Sequence, residues 1–240
     1  MDAVMNSPFR TILLDFLLKQ INGYETHASL MSLYENYPKT HFYSCMNLIG
    51  SHDRSRVLTR LGEAPDPDSL AEIDKMKYRL PKEKRKLAVE RYKMASLFQM
   101  TFPGVPSIYY GDEAGLEGFP DPLNRRTFPW GQEDQELMEW TKSVISLRNQ
   151  YQVLQRGEWE AWTVGEYHYG FARKIQGQET ILTVFNTSDK EIAIEEKLNE
   201  INTSKITDLI HHQEIRVENK MIQLKLAPLS GSVFITTKSS

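Results

Sequence analysis

Two neighbouring side chains that can exchange hydrogen bonds, His52 and Asp53, lie where an apolar run over residues 42–48 gives way to a basic segment over residues 54–61. The apolar run predicts a buried strand, and the basic segment has helical spacing. A histidine beside a carboxylate at the end of a strand offers one ligand two different hydrogen-bonding groups. The alternative is structural, because Ser51 or Asp53 is also a good N-cap for the following helix. The two roles are compatible.

A second candidate pair, Asp121 and Arg125, lies four residues apart within residues 112–132. This stretch is rich in glycine, proline and aspartate and is predicted to be a long loop. A carboxylate and a guanidinium at this spacing can hold polar groups of a ligand or simply form a surface ion pair. Trp130, in the same loop, is interpreted as packing onto a core.

The composition limits the classes of function. The 240 residues carry a net charge of -3, which argues against nucleic acid as an obligate partner. The single cysteine, Cys45, excludes an internal disulfide framework and a cysteine-rich zinc site. No apolar stretch approaches the roughly 18 residues of a membrane span, so no membrane partner is expected. The N-terminal segment lacks the pattern of a signal peptide, and we therefore expect a cytoplasmic protein.

The first part of the chain alternates helices with short strands, and these elements must position the candidate residues. Apolar residues at helical spacing predict helices over residues 9–21, 26–37, 82–101 and 133–148. Asn22 and Gly23 are predicted to end the first helix, and Thr26 to cap the second. Short apolar runs over residues 42–48 and 105–110 predict buried strands. This alternation is typical of βα units with a parallel sheet.

The periodicity changes from 3.6 to 2 after Tyr151. Polar turns separate short runs that predict strands over residues 159–164, 167–174, 180–186, 191–194, 214–217, 221–226 and 232–236. Several short strands at close spacing indicate an antiparallel sandwich or barrel.

Four motifs give the chain a family resemblance. The segment NLIGSHD at residues 47–53 resembles the region of the seventh strand in the α-amylase superfamily barrel, glycoside hydrolase family 13. The segment GVPSIYYGDE at residues 104–113 resembles the eighth-strand signature of that family. The segment DPLNR at residues 121–125 resembles the D-P-x-x-R element of the neopullulanase, cyclomaltodextrinase and maltogenic amylase branch. Residues 2–9 resemble the sixth strand and its exit, so the motifs follow the family order over almost the whole chain.

The resemblance implies an α/β plus all-β fold. Residues 1–152 would form the last three βα units of a (β/α)8 TIM barrel, with parallel strands near residues 2–6, 42–48 and 105–110. Residues 153–240 would form a C-terminal antiparallel β-sandwich. The strand-four nucleophilic aspartate and the strand-five acid/base glutamate of the family have no counterpart in these 240 residues. The chain therefore resembles the C-terminal portion of such an enzyme.

The resemblance also implies roles for four residues in retaining hydrolysis of cyclodextrins, pullulan or maltooligosaccharides. Asp53 would be the transition-state stabiliser, a third carboxylate that holds ring hydroxyls while positive charge develops on the sugar. His52 would donate to a neighbouring hydroxyl of the same ring, and Asp121 and Arg125 would bind a sugar further along. We expect no cofactor and no metal, because the calcium sites of the family come mostly from other segments.

Two alternatives remain open. The chain could be a non-catalytic, amylase-like module for sugar binding or assembly, or part of a glucan-transferring relative. In either case an α-glucan oligosaccharide is the expected partner. The chain by itself is expected to be inactive, because retaining hydrolysis needs two further carboxyl groups. Open barrel edges also predict self-association through residues 1–10, 42–48 and 105–110.

Overall fold

The computed structural model describes residues 4–198 and 203–236. The helices are α1 (Ser7–Leu17), α2 (Gly23–Asn36), α3 (Lys39–Phe42), α4 (Val57–Leu61), α5 (Glu72–Lys77), α6 (Lys82–Thr101), α7 (Gln135–Gln150) and α8 (Gln152–Arg156). The strands are β1 (Met46–Leu48), β2 (Val105–Ser107), β3 (Glu158–Val164), β4 (His168–Lys174), β5 (Ile181–Asn186), β6 (Ile192–Lys197), β7 (Lys205–Asp208), β8 (Glu214–Arg216), β9 (Met221–Leu226) and β10 (Ser230–Thr236). Within the described ranges, no helix has both the length and the apolar character needed to cross a bilayer.

A small parallel sheet supports the first part of the chain. Strands β1 and β2 pair in parallel, with Met46 opposite Val105. Met5 forms a parallel bridge with Met46 on the other side of β1, and the backbone N–H of Asn6 donates to the carbonyl of Met46 at 2.8 Å. Residues 2 and 3 of the predicted strand 2–6 lie outside the described residues. The parallel arrangement brings the carboxyl ends of β1 and β2 to one edge.

Both predicted strands of this sheet were too long. Phe42 belongs to α3, where the N–H groups of His41 and Phe42 donate to the carbonyl of Pro38, and only Met46–Leu48 is extended. The run at 42–45 is apolar because Phe42 and Cys45 pack into the core, which a strand and a helical turn achieve equally well. Strand β2 ends at Ser107, because the chain then turns through residues 109–112.

The predicted boundary between the first two helices was also wrong. Asn22 does not end α1; it caps the start of α2, where its side chain accepts from the N–H of Glu25 and the Glu25 carboxylate accepts from the N–H of Asn22. This reciprocal capping box satisfies two backbone donors. Thr26 lies inside the helix, and its hydroxyl donates to the carbonyl of Asn22 at 2.8 Å.

The second part of the chain forms two antiparallel sheets. One has six strands in the order β3-β4-β5-β10-β7-β8, and the other pairs β6 with β9. The seven predicted strands are all present, with ends shifted by up to three residues. Strand β7 (Lys205–Asp208) was not predicted. A buried cluster with members from both sheets lies between them, and it includes Ala172, Val184, Ile194, Leu224 and Phe234.

The other face of the six-stranded sheet packs on α6. Phe98 of α6 is 1 % exposed, and its ring lies 5.1 Å from Phe171 of β4 and 5.0 Å from Phe185 of β5. The same ring contacts Phe9 of α1 at 5.9 Å and Phe102 at 5.4 Å. The helices of the first part and the sheet of the second part therefore share one continuous core.

Two buried arginines hold the C-terminal end of α6. Arg173 of β4 donates to the carbonyls of Thr101 at 2.7 Å and Leu154 at 2.8 Å, and to Gly157. Arg148 of α7 donates to the carbonyl of Met100 at 2.7 Å. Burial lowers the pKa of Arg173 to about 9 and that of Arg148 to about 10. Both cations lie where the macrodipole of α6 is negative, so they satisfy carbonyls that a helix leaves without partners.

Replacing Arg173 by leucine is expected to lower the free energy of unfolding by about 3–5 kcal/mol, because three buried carbonyls lose their donors. Urea denaturation followed by circular dichroism measures this loss. The matched control is Arg216→Leu on the exposed strand β8, which we expect to change stability by less than about 0.5 kcal/mol. Similar stability for the two variants would contradict the role given to Arg173.

Candidate active site

His52 and Asp53 lie in the loop between β1 and α4. Their side chains are 51 % and 66 % exposed, and Nε2 of His52 lies 3.1 Å from Oδ1 of Asp53. The hydroxyl of Ser51 accepts from the backbone N–H of Asp53 at 3.3 Å, which makes a tight turn inside the loop. The expected N-cap role of Ser51 or Asp53 is therefore wrong, because α4 begins at Val57, with Arg56 in the cap position and no side-chain cap.

Asp121 and Arg125 form an exposed ion pair in the long loop after β2. Nε of Arg125 lies 2.5 Å from Oδ1 of Asp121, and their side chains are 48 % and 60 % exposed. A 3-10 turn over Leu123–Arg125 brings the two side chains together. Exposed pairs of this kind contribute little to stability, so both groups remain open to a ligand that offers hydrogen bonds.

Asn124 joins the two loops. Its side chain is fully buried, and Nδ2 donates to the carbonyls of His52 at 2.7 Å and Arg54 at 2.8 Å. One amide group therefore fixes the Asp121–Arg125 loop against the backbone of the His52–Asp53 loop. Sequence reasoning missed this residue, since an asparagine in a polar loop gives no sign that it is buried.

A buried ion pair lies beneath the same loop. Arg56 is 1 % exposed, and its Nη1 lies 3.1 Å from Oδ1 of Asp112 and also donates to the carbonyl of Tyr110. The guanidinium carbon lies 4.2 Å from the ring centroid of Tyr109 and 4.7 Å from that of Tyr110. The backbone N–H of Arg56 donates to the carbonyl of Gly118 at 2.9 Å. Arg56 thus ties the end of the His52–Asp53 loop to the segment after β2, and sequence reasoning missed it too.

The ion pair is only partly satisfied. Nε and Nη2 of Arg56 and Oδ2 of Asp112 have no partner. Oδ2 lies so close to the backbone of Gly50 that a Cβ there would come within 1.9 Å of it, so no larger residue fits without a shift. Burial raises the pKa of Asp112 from 3.8 to about 7, although the charge of Arg56 acts in the opposite direction.

Asp112 is expected to make stability depend on pH. Because its pKa is higher in the folded chain, its contribution to stability is full below about pH 4 and is lost as the pH rises through about 7. Asparagine does not titrate, so an Asp112→Asn variant should gain stability relative to the parent between pH 5 and pH 8. Urea denaturation at both pH values measures the difference, with Asp68→Asn at an exposed position as control. If the parent instead becomes more stable relative to the variant as the pH rises, Asp112 is held ionised by Arg56, which would contradict this prediction.

Trp130 does not pack onto the core, contrary to the sequence interpretation. Its side chain is 82 % exposed. It contacts the ring of Phe128, with the two centroids 4.6 Å apart. The indole is carried on a loop whose buried aromatic is instead Phe119, which is 2 % exposed.

The described ranges 4–198 and 203–236 contain no group of three or more histidine, cysteine, aspartate or glutamate side chains arranged to hold a metal ion. The two loops together present two exposed carboxylates, an imidazole and a guanidinium. Together these groups can bind a ligand rich in hydroxyl groups.

Comparison with known proteins gives the family. The model of the alpha amylase catalytic domain matches residues 1–222. The chain therefore belongs to the family of α-amylase catalytic domains, and its fold is of that type, as the resemblance implied.

Three relatives illustrate the likeness. An amylopullulanase of Thermoanaerobacter thermohydrosulfuricus is 36 % identical over 98 % of this chain and 17 % of its own length. Neopullulanase 2 of Thermoactinomyces vulgaris is 30 % identical over 97 % of this chain and 36 % of its own length. A solved cyclomaltodextrinase structure superposes with a TM-score of 0.81 at 26 % identity, over 99 % of this chain and 37 % of that one. The chain thus spans between about a sixth and about two fifths of the length of these relatives.

Proposed function

We propose that this chain supplies the sugar-holding part of the active site of an α-glucan hydrolase. Residues 1–152 would be the last three βα units of its (β/α)8 barrel, and residues 153–240 a C-terminal β-sandwich. The parallel pairing of β1 and β2 and the family match support the barrel part. The two antiparallel sheets with a buried cluster between them support the sandwich. The names cyclomaltodextrinase and neopullulanase support cyclodextrins and pullulan as substrates. Maltooligosaccharides are proposed with them.

The observation that carries the proposal is the bridge made by Asn124. It holds the loop of His52 and Asp53 next to the loop of Asp121 and Arg125. Both loops follow strands of one parallel sheet, and barrel enzymes keep their sites at the carboxyl ends of such strands. Four half-exposed hydrogen-bonding side chains on adjacent rigid loops suit a polyhydroxylated substrate.

In this proposal the carboxylate of Asp53 accepts hydrogen bonds from the hydroxyls of one sugar ring. These bonds strengthen as the ring acquires oxocarbenium character, which lowers the barrier by several kcal/mol. His52 donates to a neighbouring hydroxyl of that ring. Asp121 and Arg125 hold a sugar further along, and their mutual ion pair opens or is shared when the ligand binds.

The chain by itself is proposed to bind glucan without cleaving it. Retaining hydrolysis needs a nucleophile and an acid/base carboxyl about 5–5.5 Å apart, and neither family motif occurs in these 240 residues. This absence favours a non-catalytic sugar-binding role for the isolated chain. Hydrolysis or glucan transfer would belong to a protein that also supplies the two carboxyls.

Isothermal titration with β-cyclodextrin and maltoheptaose tests the proposal. We expect measurable binding by the parent and about tenfold weaker binding by Asp53→Asn and by Arg125→Ala, because each change removes a charge-assisted hydrogen bond. Arg216→Ala on the exposed strand β8 is the matched control. No release of glucose or maltose is expected from any variant. Absent binding, or turnover by the isolated chain, would contradict the proposal.

We also propose that the isolated chain self-associates through its small sheet. Val4, Met5, Met46 and Val105 are apolar and between 38 % and 49 % exposed. Exposed strands with apolar side chains tend to recruit another chain.

Light scattering over a range of concentrations tests this association. A Val105→Lys variant is expected to shift the chain towards monomer, because a charge would have to be buried in the contact. The control is Ile73→Lys, since Ile73 is 53 % exposed on α5. A parent that stays monomeric at every concentration would contradict the proposed association.

A further inference from the structure

We propose that Trp130 is a stacking platform for an additional sugar ring of the α-glucan, beyond the ring held by Asp121 and Arg125. The inference rests on the proposed function and extends the binding site along the loop. It assigns a ligand contact to a residue for which the sequence context favoured packing.

The exposure of the ring is the first observation. At 82 % exposed, Trp130 is the most accessible large hydrophobic side chain among the described residues, and Tyr24 follows at 60 %. An exposed indole does not contribute the favourable free energy that burial of its apolar surface would give. An exposed tryptophan on an anchored surface loop is therefore a candidate ligand-binding residue.

The ring is also held in place. It contacts the ring of Phe128, with a centroid distance of 4.6 Å and an interplanar angle of 52°. The backbone N–H of Trp130 donates to the backbone carbonyl of Phe128 at 2.9 Å, which holds the main chain in a turn. Beside it, Gly131 has φ +74 and open space around the position of a Cβ. Phe128 is thus in contact with the indole, most of the Trp130 surface is exposed, and the space beside Gly131 is open.

The loop that carries Trp130 is anchored at several points. The hydroxyl of Tyr110 donates to the carbonyl of Arg126 at 2.9 Å, and Nη2 of Arg126 donates to the carbonyl of Met76 at 2.7 Å. Asn124 fixes the start of the loop. A pre-organised platform loses little conformational freedom on binding, which favours affinity.

The surroundings favour a sugar as the occupant. A pyranose has apolar faces for the indole and hydroxyls at its edge for charged groups, and Asp121, Arg125 and Arg126 supply such groups on the same loop. A stable protein interface buries on the order of 1,200–2,000 Å² in total, and two rings on one loop supply only a small part of that area. Arg125 and Trp130 are five residues apart, so they are at most about 18 Å apart. A short oligosaccharide can reach both.

Titrations with maltose, maltotetraose and maltoheptaose test the inference. In the parent, affinity is expected to rise with glucan length. Trp130→Ala should bind maltoheptaose about tenfold more weakly than the parent and bind maltose with the same affinity as the parent. Trp130→Phe should retain most of the increase in affinity with glucan length. Tyr24→Ala, at the other highly exposed aromatic position, is the control. This dependence on length is a readout that a loss of stability alone does not produce.

The outcomes separate the two claims. If Trp130→Ala binds maltoheptaose as the parent does, while Asp53→Asn weakens binding, the platform is wrong and the proposed function stands. If the parent binds none of the three glucans, both claims fail. The emission of Trp130 is also followed as the protein concentration rises. If the emission shows increasing burial and glucan does not reverse it, a second copy covers the ring and the platform is wrong.

Discussion

Helix α6 is buried between helix α1 and the six-stranded sheet, and this contact joins the two parts of the chain. Phe98 lies at the centre of this contact, between Phe9 of α1 and the rings of Phe171 and Phe185 on the six-stranded sheet. Truncating a buried phenylalanine of this kind costs about 3–5 kcal/mol. The two halves of the chain therefore cannot separate without exposing aromatic surface, although their backbone architectures differ.

The same helix positions the strands that carry the site. Nε2 of Gln99 donates to the carbonyls of Asn47 in β1 at 2.7 Å and Ser107 in β2 at 3.0 Å. The two strand ends are thus held at a fixed distance from α6. Beyond the strands, the Arg56–Asp112 pair and Asn124 hold the two loops through buried hydrogen bonds. These anchors are buried, where removing one partner is costly. The exposed side chains of the candidate site contribute little to holding the loops.

An element could be predicted from the sequence when the residues that determine it lie close together in the chain. The bounds of α6 were predicted to the residue, because its apolar spacing is bracketed by Pro81 and Pro103. The strand at residues 42–48 was wrong in its first half, because burial of Phe42 is a property of tertiary packing. Asn124 was invisible for the same reason, since its partners lie some 70 residues earlier in the chain. His52 and Asp53 were singled out by their position after an apolar run, and the roles predicted for them come from the family resemblance.

We propose that the loops at residues 50–56 and 121–131 form a single glucan-binding surface. This can be tested by mapping amide chemical shifts of the labelled chain during titration with maltoheptaose. We expect the signals from both loops to shift together, with one common dissociation constant, while those of the strands β6 and β9 stay unchanged. Shifts confined to one loop, or two separate dissociation constants for the two loops, would contradict it.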